Sequence, residues 1–383
     1  MNGPPSLRSL VGYFLRLGTF GFGGPIALTG AMQRDLVESR RWFTRDDYAE
    51  GLALAQLAPG PLAAQVAIYL GWIRSGAPGA TIVGVAFVLP SLVMVLALSV
   101  LYVHYGELAW MRGAFYGLGP AVIAVMCRSA VRLTRSAASG DPLLWGILAI
   151  NAVATAWTGQ EVIWVILASG AIPLLATVAR RPAPGLTAMT LGAAPWLLTG
   201  LGGQASWPTI ARITLYFGEA GLFVFGSGLA IVPFLHGGVA DRFQWLTERQ
   251  FLDAVAVAMI TPGPVVITVA FIGYLVAGLA GAVAAALGVF VPCWLFVVLL
   301  APQFRRHAAH RALKALVSGV TAAACGAIAG AAVVLGRRSI VDAPTLAIFL
   351  AALVAPMLAR RLPEPLLILG SGLLGLALQG GNR

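Results

Sequence analysis

The chain has 383 residues, of which 59% are hydrophobic and only 10% are charged, and its mean hydropathy is +0.88. A soluble domain carries about a quarter charged residues, so this composition excludes a soluble enzyme and indicates a membrane protein. The net charge of +11 does not indicate nucleic-acid binding, because the basic residues lie in short loops between apolar runs, where they act as topology signals.

Apolar runs of membrane-spanning length recur along the chain. In the first half, residues 1–180, they predict helices near residues 8–33, 45–58 with 61–74, 77–103, 110–133, 142–158 and 161–179. A connecting segment, residues 181–208, follows, and its apolar part at 186–203 is long enough for another transmembrane helix. The second half, residues 209–383, contains counterparts of the first set. The sequence therefore predicts an all-α polytopic membrane protein with about 10 to 13 transmembrane segments.

The second half repeats the first at an offset of 203 residues. The motif Pro59–Gly60–Pro61 recurs as Pro262–Gly263–Pro264. In register with it, FGFGG at 20–24 aligns with FVFGS at 223–227, and RRWFTRDD at 40–47 aligns with FQWLTERQ at 243–250. One residue is lost after the motif, so Pro90 aligns with Pro292 at an offset of 202. A period this long indicates a duplicated helical bundle, since solenoid repeats run to about 20 to 50 residues.

The positions of arginine and lysine predict that the two halves are inverted. The first half has basic loops around residues 74, 128–135 and 180–181, whereas loop 104–112 holds only Arg112 against Glu107. In the second half the richest loop is 302–314, the repeat partner of 104–112. If both rich sets are cytoplasmic, equivalent helices run in opposite directions. If the broken helices span the membrane, the chain makes about thirteen crossings. If they form re-entrant hairpins, it makes about ten, and the sequence leaves this choice open.

The proline–glycine–proline motifs predict two helix breaks inside the membrane. Thr44 with Asp47, and Thr247 with Gln250, have the spacing of a capping box and mark the start of a helix before each break. The legs on either side of Gly60 are each about 21 Å long, so they meet within a hydrocarbon core of about 30 Å. Lipid cannot satisfy the backbone groups exposed there, and the amino terminus of each second leg suits an anion.

The candidate substrate-binding residues surround these breaks. The glycine-rich stretch at 17–30 supplies the opposite wall, and Arg16 aligns with Glu219, a candidate coupling residue of opposite charge. The full candidate set is Arg16, Gly23, Gly24, Pro25, Arg34, Gln56, Pro59, Gly60, Pro61, Gln65, Gly226, Gly228, Thr261, Pro262, Gly263, Pro264 and Thr268.

Each candidate also has a structural interpretation. Proline kinks can be purely structural, and the glycines can serve helix packing. Arg16 and Glu219 can snorkel to an interface, and Trp42 and Trp245 are expected to be interfacial anchors. Cys127, Cys293 and Cys325 lie too far apart for a metal motif or a disulfide framework, so neither a metal nor a cofactor is expected.

The combination of FGFGGP, RRWFTRDDYAEGLALAQLAPGP, FVFGSG and ITPGP resembles the chromate ion transporter family in its long, two-domain form. This resemblance covers nearly the whole chain and implies a bacterial inner-membrane protein with antiparallel halves that exports chromate and confers chromate resistance. It also implies functional roles for Gly23, Gly24, Pro25, Arg34, Trp42, Gln56 and the first motif. The second half departs from the family pattern, because Leu229 and Ala230 stand where a histidine often follows the glycines.

The residues and the resemblance together predict a secondary carrier that exports chromate by alternating access, with protons as the candidate coupling ion. A carrier for sulfate or another oxyanion and an anion channel are rivals within transport. A membrane-embedded enzyme is the rival from another class, but 14 acidic residues and four histidines, mostly in loops, do not supply a catalytic cluster. Membrane lipids are expected partners, nucleic acid is not, and a homodimer is left open.

Overall fold

The computed structural model describes residues 5–22, 24–106, 108–137, 141–158, 199–200, 203–204, 206–222, 224, 228, 231–307, 311–358 and 363–380. Within these ranges the chain forms thirteen α-helices. The first half holds α1 (Leu7–Phe20), α2 (Gly24–Met32), α3 (Arg45–Leu57), α4 (Leu62–Tyr105), α5 (Ala109–Ala137) and α6 (Pro142–Thr158). The second half holds α7 (Trp207–Leu222), α8 (Ile231–His236), α9 (Glu248–Ile260), α10 (Thr268–His307), α11 (Arg311–Ser339), α12 (Ala343–Leu358) and α13 (Glu364–Gly380).

Several of these helices are long and apolar enough to cross a membrane. In the described ranges four qualify by length and composition, namely Leu62–Tyr105, Ala109–Arg135, Val265–Pro302 and Ser318–Ser339. Along α10 the exposed side chains Val283, Leu287, Val291 and Leu295 recur at every fourth residue and form an apolar stripe on its outer face. Such a stripe suits hydrocarbon rather than water. The predicted all-α polytopic architecture is therefore confirmed.

The backbone carries the repeat that the sequence predicts. Helices α2 and α8 continue into π-helical segments, Gln33–Ser39 and Gly237–Arg242. Each is followed by a residue with positive φ, Arg41 at 52° and Gln244 at 49°, which are 203 positions apart. Helices α4 and α10 both turn sharply within their length, at Ser75–Gly76 and at Ala277–Gly278, where the two glycines have φ values of 61° and 60°.

The start of the chain and the segment between the halves differ from the predicted helices or lie largely outside the described residues. The single helix predicted at 8–33 is wrong, because α1 ends at Phe20 and α2 begins at Gly24, whose φ of +73° interrupts regular helix geometry. The helix predicted at 161–179 and most of the connecting segment lie outside the described residues. The described part of that segment forms a short antiparallel hairpin of β1 (Thr199–Gly200) and β2 (Gly203–Gln204).

Helix α3 and the first limb of α4, residues 62–74, form an antiparallel hairpin. The Tyr69 ring packs directly against Gly51, where it leaves no room for a Cβ atom, and Gln65 hydrogen-bonds Ala58 at the tip. A straight broken span would hold residues 51 and 69 far apart, at about 1.5 Å per residue on either side of the break. The contacts therefore describe a re-entrant hairpin.

The second limb of α4, residues 77–105, folds back along the first. Gly71 packs on Gly79, and Gly84 packs on Ile68, so the two limbs are antiparallel and their backbones are in close contact. The second limb is about 44 Å long, which is enough to cross the membrane. Helix α10 repeats this turn, with Gly273 packed on Gly281.

The halves pack on each other through these same elements. The second limb of α4 lies against α9, because Ser91 contacts Gly263 and the Tyr102 hydroxyl donates to Asp253 Oδ2 at 2.7 Å. The second limb of α10, residues 279–307, lies against α3, with Cys293 at Gly60 and Val297 in a buried cluster with Leu54. Both pairings are antiparallel in register.

Candidate functional site

The first break, Pro59–Gly60–Pro61, separates two regular helices by a turn in which Gly60 and Pro61 are buried and Pro59 is half-buried. Helix α3 closes with the Ala58 amide donating to Leu54 O at 2.8 Å, and α4 makes its first intrahelical bond from the Gln65 amide to Pro61 O at 2.9 Å. Gly60 has φ of +137°, a value that L-residues rarely adopt. The amides of residues 62–64 precede the first helical bond of α4, and within the described part of the chain they have no hydrogen-bond partner.

Gln65 completes the first break. Its side chain is fully buried, and Nε2 donates to Pro59 O at 2.7 Å and to Ala58 O at 3.2 Å. These carbonyls lie beyond the last helical bond of α3, and the turn at Gly60 carries the amides of residues 62 and 63, their partners in a continuous helix, into α4. The carboxamide of Gln65 therefore satisfies the carbonyl side of the break.

The second break, Pro262–Gly263–Pro264, is more completely bonded within its own half. The Thr261 hydroxyl donates to Val257 O, and the Thr268 hydroxyl donates to Val265 O, each at 2.7 Å. A 3₁₀ turn, Val265–Ile267, replaces the first turn of regular helix. The two breaks thus share a motif but differ in how many polar groups they leave unpaired.

The two breaks are linked by a reciprocal pair of backbone bonds. The Gly60 amide donates to Val224 O at 2.7 Å, and the Gly263 amide donates to Gly21 O at 2.8 Å. Gly60 and Gly263 are 203 residues apart, and so are Gly21 and Val224, so equivalent residues make the same bond in both directions. A carbonyl group in the glycine-rich stretch of each half therefore accepts a hydrogen bond from the break of the other half.

Several predicted site residues lie together in this region. Gln65, Thr261 and Thr268 are buried beside the breaks with Gly60 and Gly263. The remaining buried members of the predicted set there are Pro61, Pro262, Pro264 and Gly228, the last packed on Val265 and Val266, while Pro59 is half-buried.

Other predicted residues lie away from the breaks or outside the described part. Arg16, Arg34, Gln56 and Glu219 all have exposed side chains. Gly24 and Pro25 are half-buried at the start of α2, and Gly23 and Gly226 lie outside the described residues. Trp245 packs in an aromatic cluster, stacked on Phe243 with ring centroids 4.6 Å apart. The roles of these residues stay predictions.

A cavity of about 1000 Å³ opens between the halves and was not predicted. It lies between α5 of the first half and α9, α11 and α13 of the second, and its charged lining residues are Arg112, Arg249, Arg338, Glu248 and Asp253. Asp253 is 5% exposed and accepts the hydrogen bond from Tyr102. The arginines come from three helices distant in sequence, so no local pattern brings them together.

His236 also escaped the sequence analysis. It is 2% exposed, and its Nε2 lies 2.8 Å from Glu248 Oε2 while Nδ1 lies 3.5 Å from Asp241 Oδ2. These three residues place potential metal-ligand atoms within 4.8 Å of one another. Arg338 pairs with Glu248, however, and its positive charge opposes a cation at the same point. The cluster is therefore an ion-pair network at the mouth of the cavity.

The profile of the family described as "Chromate transporter" matches residues 8–174 and again residues 211–376. The chain belongs to the chromate transporter family. Both breaks, the cavity-lining arginines and His236 fall within the matched ranges of this family.

Similar chromate transporters align over nearly the full chain. The chromate transport protein of Cupriavidus metallidurans is 54% identical over 375 residues, covering 97% of this chain and 93% of the relative. The probable chromate transport protein of Synechococcus elongatus is 51% identical over 381 residues, covering 97% and 95%. The chromate transport protein of Pseudomonas aeruginosa is 30% identical over 391 residues, covering 97% and 92%. No solved structure matches the chain.

Membership has two direct consequences. The chromate transporter family and the apolar helices together make this chain a multi-pass membrane transporter. The family also supports chromate as the transported substrate. Since the profile matches each half separately, the duplication is a property of the family pattern and not of a few chosen motifs.

Proposed function

We propose that this chain is a secondary active transporter that exports chromate across the bacterial inner membrane, conferring chromate resistance, by alternating access between two inverted halves. Sulfate is the competitor to test, because it has the same tetrahedral shape and charge. The substrate site lies at the two breaks. Protons are a candidate coupling ion.

The reciprocal bond pair between the breaks carries this proposal. Gly60 donates to Val224 and Gly263 donates to Gly21, at 2.7 and 2.8 Å. Exchange of one bond type between equivalent residues is the signature of a local two-fold axis, here within one chain. Transporters built from repeats bind substrate near such an axis, between discontinuous helices.

The packing directions support the inverted arrangement. Helix α3 is antiparallel to the first limb of α4, which is antiparallel to the second limb, so α3 and the second limb run the same way. The second limb of α10 is antiparallel to α3. It is therefore antiparallel to the second limb of α4, its own repeat equivalent. Equivalent helices that point in opposite directions are what inverted topology requires.

The polar groups at the first break suit an oxyanion. The Gly60 amide is occupied by Val224, so the donors available to an anion are the amides of Leu62, Ala63 and Ala64 in the first turn of α4. These residues are all buried, where the partial positive charge of a helix terminus is least screened. The arginine-lined cavity, which is separate from the residues of the breaks, attracts anions to one face of the protein.

Transport by purified protein in proteoliposomes tests the function. We expect uptake of labelled chromate into vesicles, and we expect Gly60→Leu to abolish it while Gly146→Leu retains it, because Gly146 is exposed with no neighbouring atom within 4 Å of a new Cβ. Equal transport by the two variants would overturn the site. A large uncoupled current without saturation would indicate a channel.

Cysteine labelling tests the inversion and the re-entrant hairpins. In a background with Cys127, Cys293 and Cys325 replaced by serine, single cysteines are placed at Thr44, Ser75, Thr247 or Leu279, none of which is buried. We expect an impermeant maleimide to label positions 44 and 75 from one side of the membrane and positions 247 and 279 from the other. Labelling of all four from the same side would contradict inverted halves, and opposite labelling of 44 and 75 would contradict the hairpin.

A further inference from the structure

The carboxamide of Gln65 has a fixed orientation at the first break. Its Nε2 lies within hydrogen-bond distance of two carbonyl oxygens, those of Pro59 and Ala58. The reverse orientation would place Oε1 against both oxygens, which are acceptors only. The hydrogen-bond network therefore assigns Nε2 to the carbonyls and leaves Oε1 on the other side of the carboxamide.

That oxygen is a buried acceptor without a donor. Gln65 is 0% exposed, and among the described residues Oε1 has no hydrogen-bond partner. Buried acceptors in native proteins are nearly always paired, so an unpaired one at a helix break indicates a missing donor. The carboxamide lies at Gly60, since a Cβ there would be 2.7 Å from Gln65 Nε2 and 3.1 Å from Cδ. The break therefore combines amide donors with one acceptor.

We propose that Gln65 Oε1 accepts a hydrogen bond from the protonated oxygen of the transported anion, so that the transporter binds hydrogen chromate in preference to the chromate dianion. This inference rests on the proposed function and names the protonation state of its substrate. The amides of the α4 amino-terminal turn bind the unprotonated oxygens, and the single hydroxyl of the monoanion meets the single acceptor.

This arrangement distinguishes chromate from sulfate by proton affinity. A bare dianion presents acceptors only, so it leaves Oε1 unpaired and repels it. Chromate takes up a proton close to neutral pH, whereas sulfate does so only in strong acid. The site can therefore discriminate between chromate and sulfate, whose dianions have the same shape and charge. Sulfate would leave the buried oxygen Oε1 without a donor, and an unpaired buried polar group strongly disfavours the wrong substrate.

The second half supplies a matched control. Thr268 occupies the position equivalent to Gln65 at the offset of 203 residues and is also 0% exposed. Its hydroxyl group donates a hydrogen bond to Val265 O. The unpaired acceptor is therefore a feature of the first break.

The titratable side chain that packs against the first break from α10 is Cys293, whose repeat equivalent in the first half is Ser91. Cys293→Ser therefore removes the thiol from the break with little change in volume.

The test measures the KM for chromate in proteoliposomes of the Cys293→Ser protein from about pH 6 to about pH 8, with internal pH and potential held constant. We expect the KM expressed as hydrogen chromate to stay constant, so that the KM for total chromate rises by about tenfold per pH unit at the alkaline end. Sulfate is expected to compete poorly throughout. A KM that is constant when expressed as dianion overturns this inference but leaves the transporter function standing, whereas no chromate flux at any pH overturns the function itself.

Variants then locate the effect. Gln65→Lys keeps a donor for Pro59 O and Ala58 O but removes the acceptor and adds a positive charge, whereas Gln65→Met removes the acceptor without adding a charge. We expect the pH dependence of the KM to flatten in both variants and sulfate to compete at least tenfold better. Thr268→Val should keep the wild-type profile. If Gln65→Met keeps the steep profile, or if Thr268→Val flattens it equally, Oε1 holds an ordered water and does not bind the substrate.

Discussion

Gly263 provides a sharp test of how the two halves fit together. Its φ of +101° is unfavourable for any residue with a Cβ atom, and an alanine side chain there would overlap Ser91 Oγ and lie 3.0 Å from Ser91 Cβ. The backbone strain costs about 1 to 3 kcal/mol, and overpacking costs about 1 to 3 kcal/mol more. We therefore expect Gly263→Ala to destabilise the protein by about 2 to 6 kcal/mol.

A double-mutant cycle separates the two causes. Ser91→Ala removes Oγ and its hydrogen bond to Gly18 O, a loss of about 1 kcal/mol by itself. Combined with Gly263→Ala, it should recover part of the overpacking cost but none of the backbone strain. The coupling energy should therefore reach about 1 to 3 kcal/mol and favour the double variant.

The assay is thermal unfolding of the detergent-solubilised protein, with Gly146→Ala as the control. Gly146 lies on an exposed face of α6 with open space around it, so alanine should be neutral or stabilise by up to about 1 kcal/mol. Gly263→Ala should lower the melting temperature by an amount on the order of 5 °C. If Ser91→Ala and Gly263→Ala prove additive within about 0.5 kcal/mol, the predicted contact between the halves is absent.

Two further predictions concern the cavity and a loop beside it. Replacing Arg112 and Arg249 together by glutamine should raise the KM for chromate about thirtyfold, because each of the two charges attracts a nearby anion by an energy on the order of 1 kcal/mol. Arg212 is exposed and outside the cavity, so Arg212→Gln should leave the KM unchanged, and equal effects would refute the role of the cavity. Hydrogen bonds from Tyr116 and Thr345 lower the pKa of Asp342 below 3.8, so its stabilising effect is present above that pH and is lost as pH falls through the lowered value. The melting temperatures of wild type and Asp342→Asn should therefore differ at neutral pH and converge below about pH 4, and a gap that persists in acid would contradict the assignment.

Much of the local structure was predictable because it depends on neighbouring residues. The capping boxes at Thr44 and Thr247 both form, and α3 and α4 end and begin on either side of Pro59–Gly60–Pro61 as predicted. Such signals act within one turn of helix, where side-chain chemistry alone decides the geometry. Gln56 and Gln65 were both placed at the site as polar residues that flank the break, and of the two Gln65 is buried there while Gln56 is exposed.

The rest depends on packing between distant segments. The choice between a span and a re-entrant hairpin follows from Tyr69 packing on Gly51, and neither residue reveals that contact in sequence. His236 reaches Asp241 because a π-helical segment brings residues five positions apart onto one face, whereas an α-helical pattern would align residues three or four apart. Arg112 and Arg249 meet in the cavity only after both halves have assembled.

The membrane potential alone is sufficient to drive export of an anion, and its effect depends on the charge that moves. Moving one charge across 100 mV is worth about 2.3 kcal/mol, which corresponds to a gradient of about fifty-fold for a monoanion and about 2,400-fold for a dianion. In proteoliposomes with a potassium diffusion potential of about 100 mV, positive on the side to which chromate is released, and no pH difference, we expect chromate to reach a distribution of about fifty-fold on that side at steady state if hydrogen chromate moves without other ions. A distribution that follows two charges would show either that the dianion is carried or that hydrogen chromate exchanges for one proton, and only the first result contradicts the role of Gln65. A distribution that ignores the potential but follows an imposed pH difference would show electroneutral cotransport of the anion with protons. The coupling group would then have to be an ionisable residue outside the two breaks.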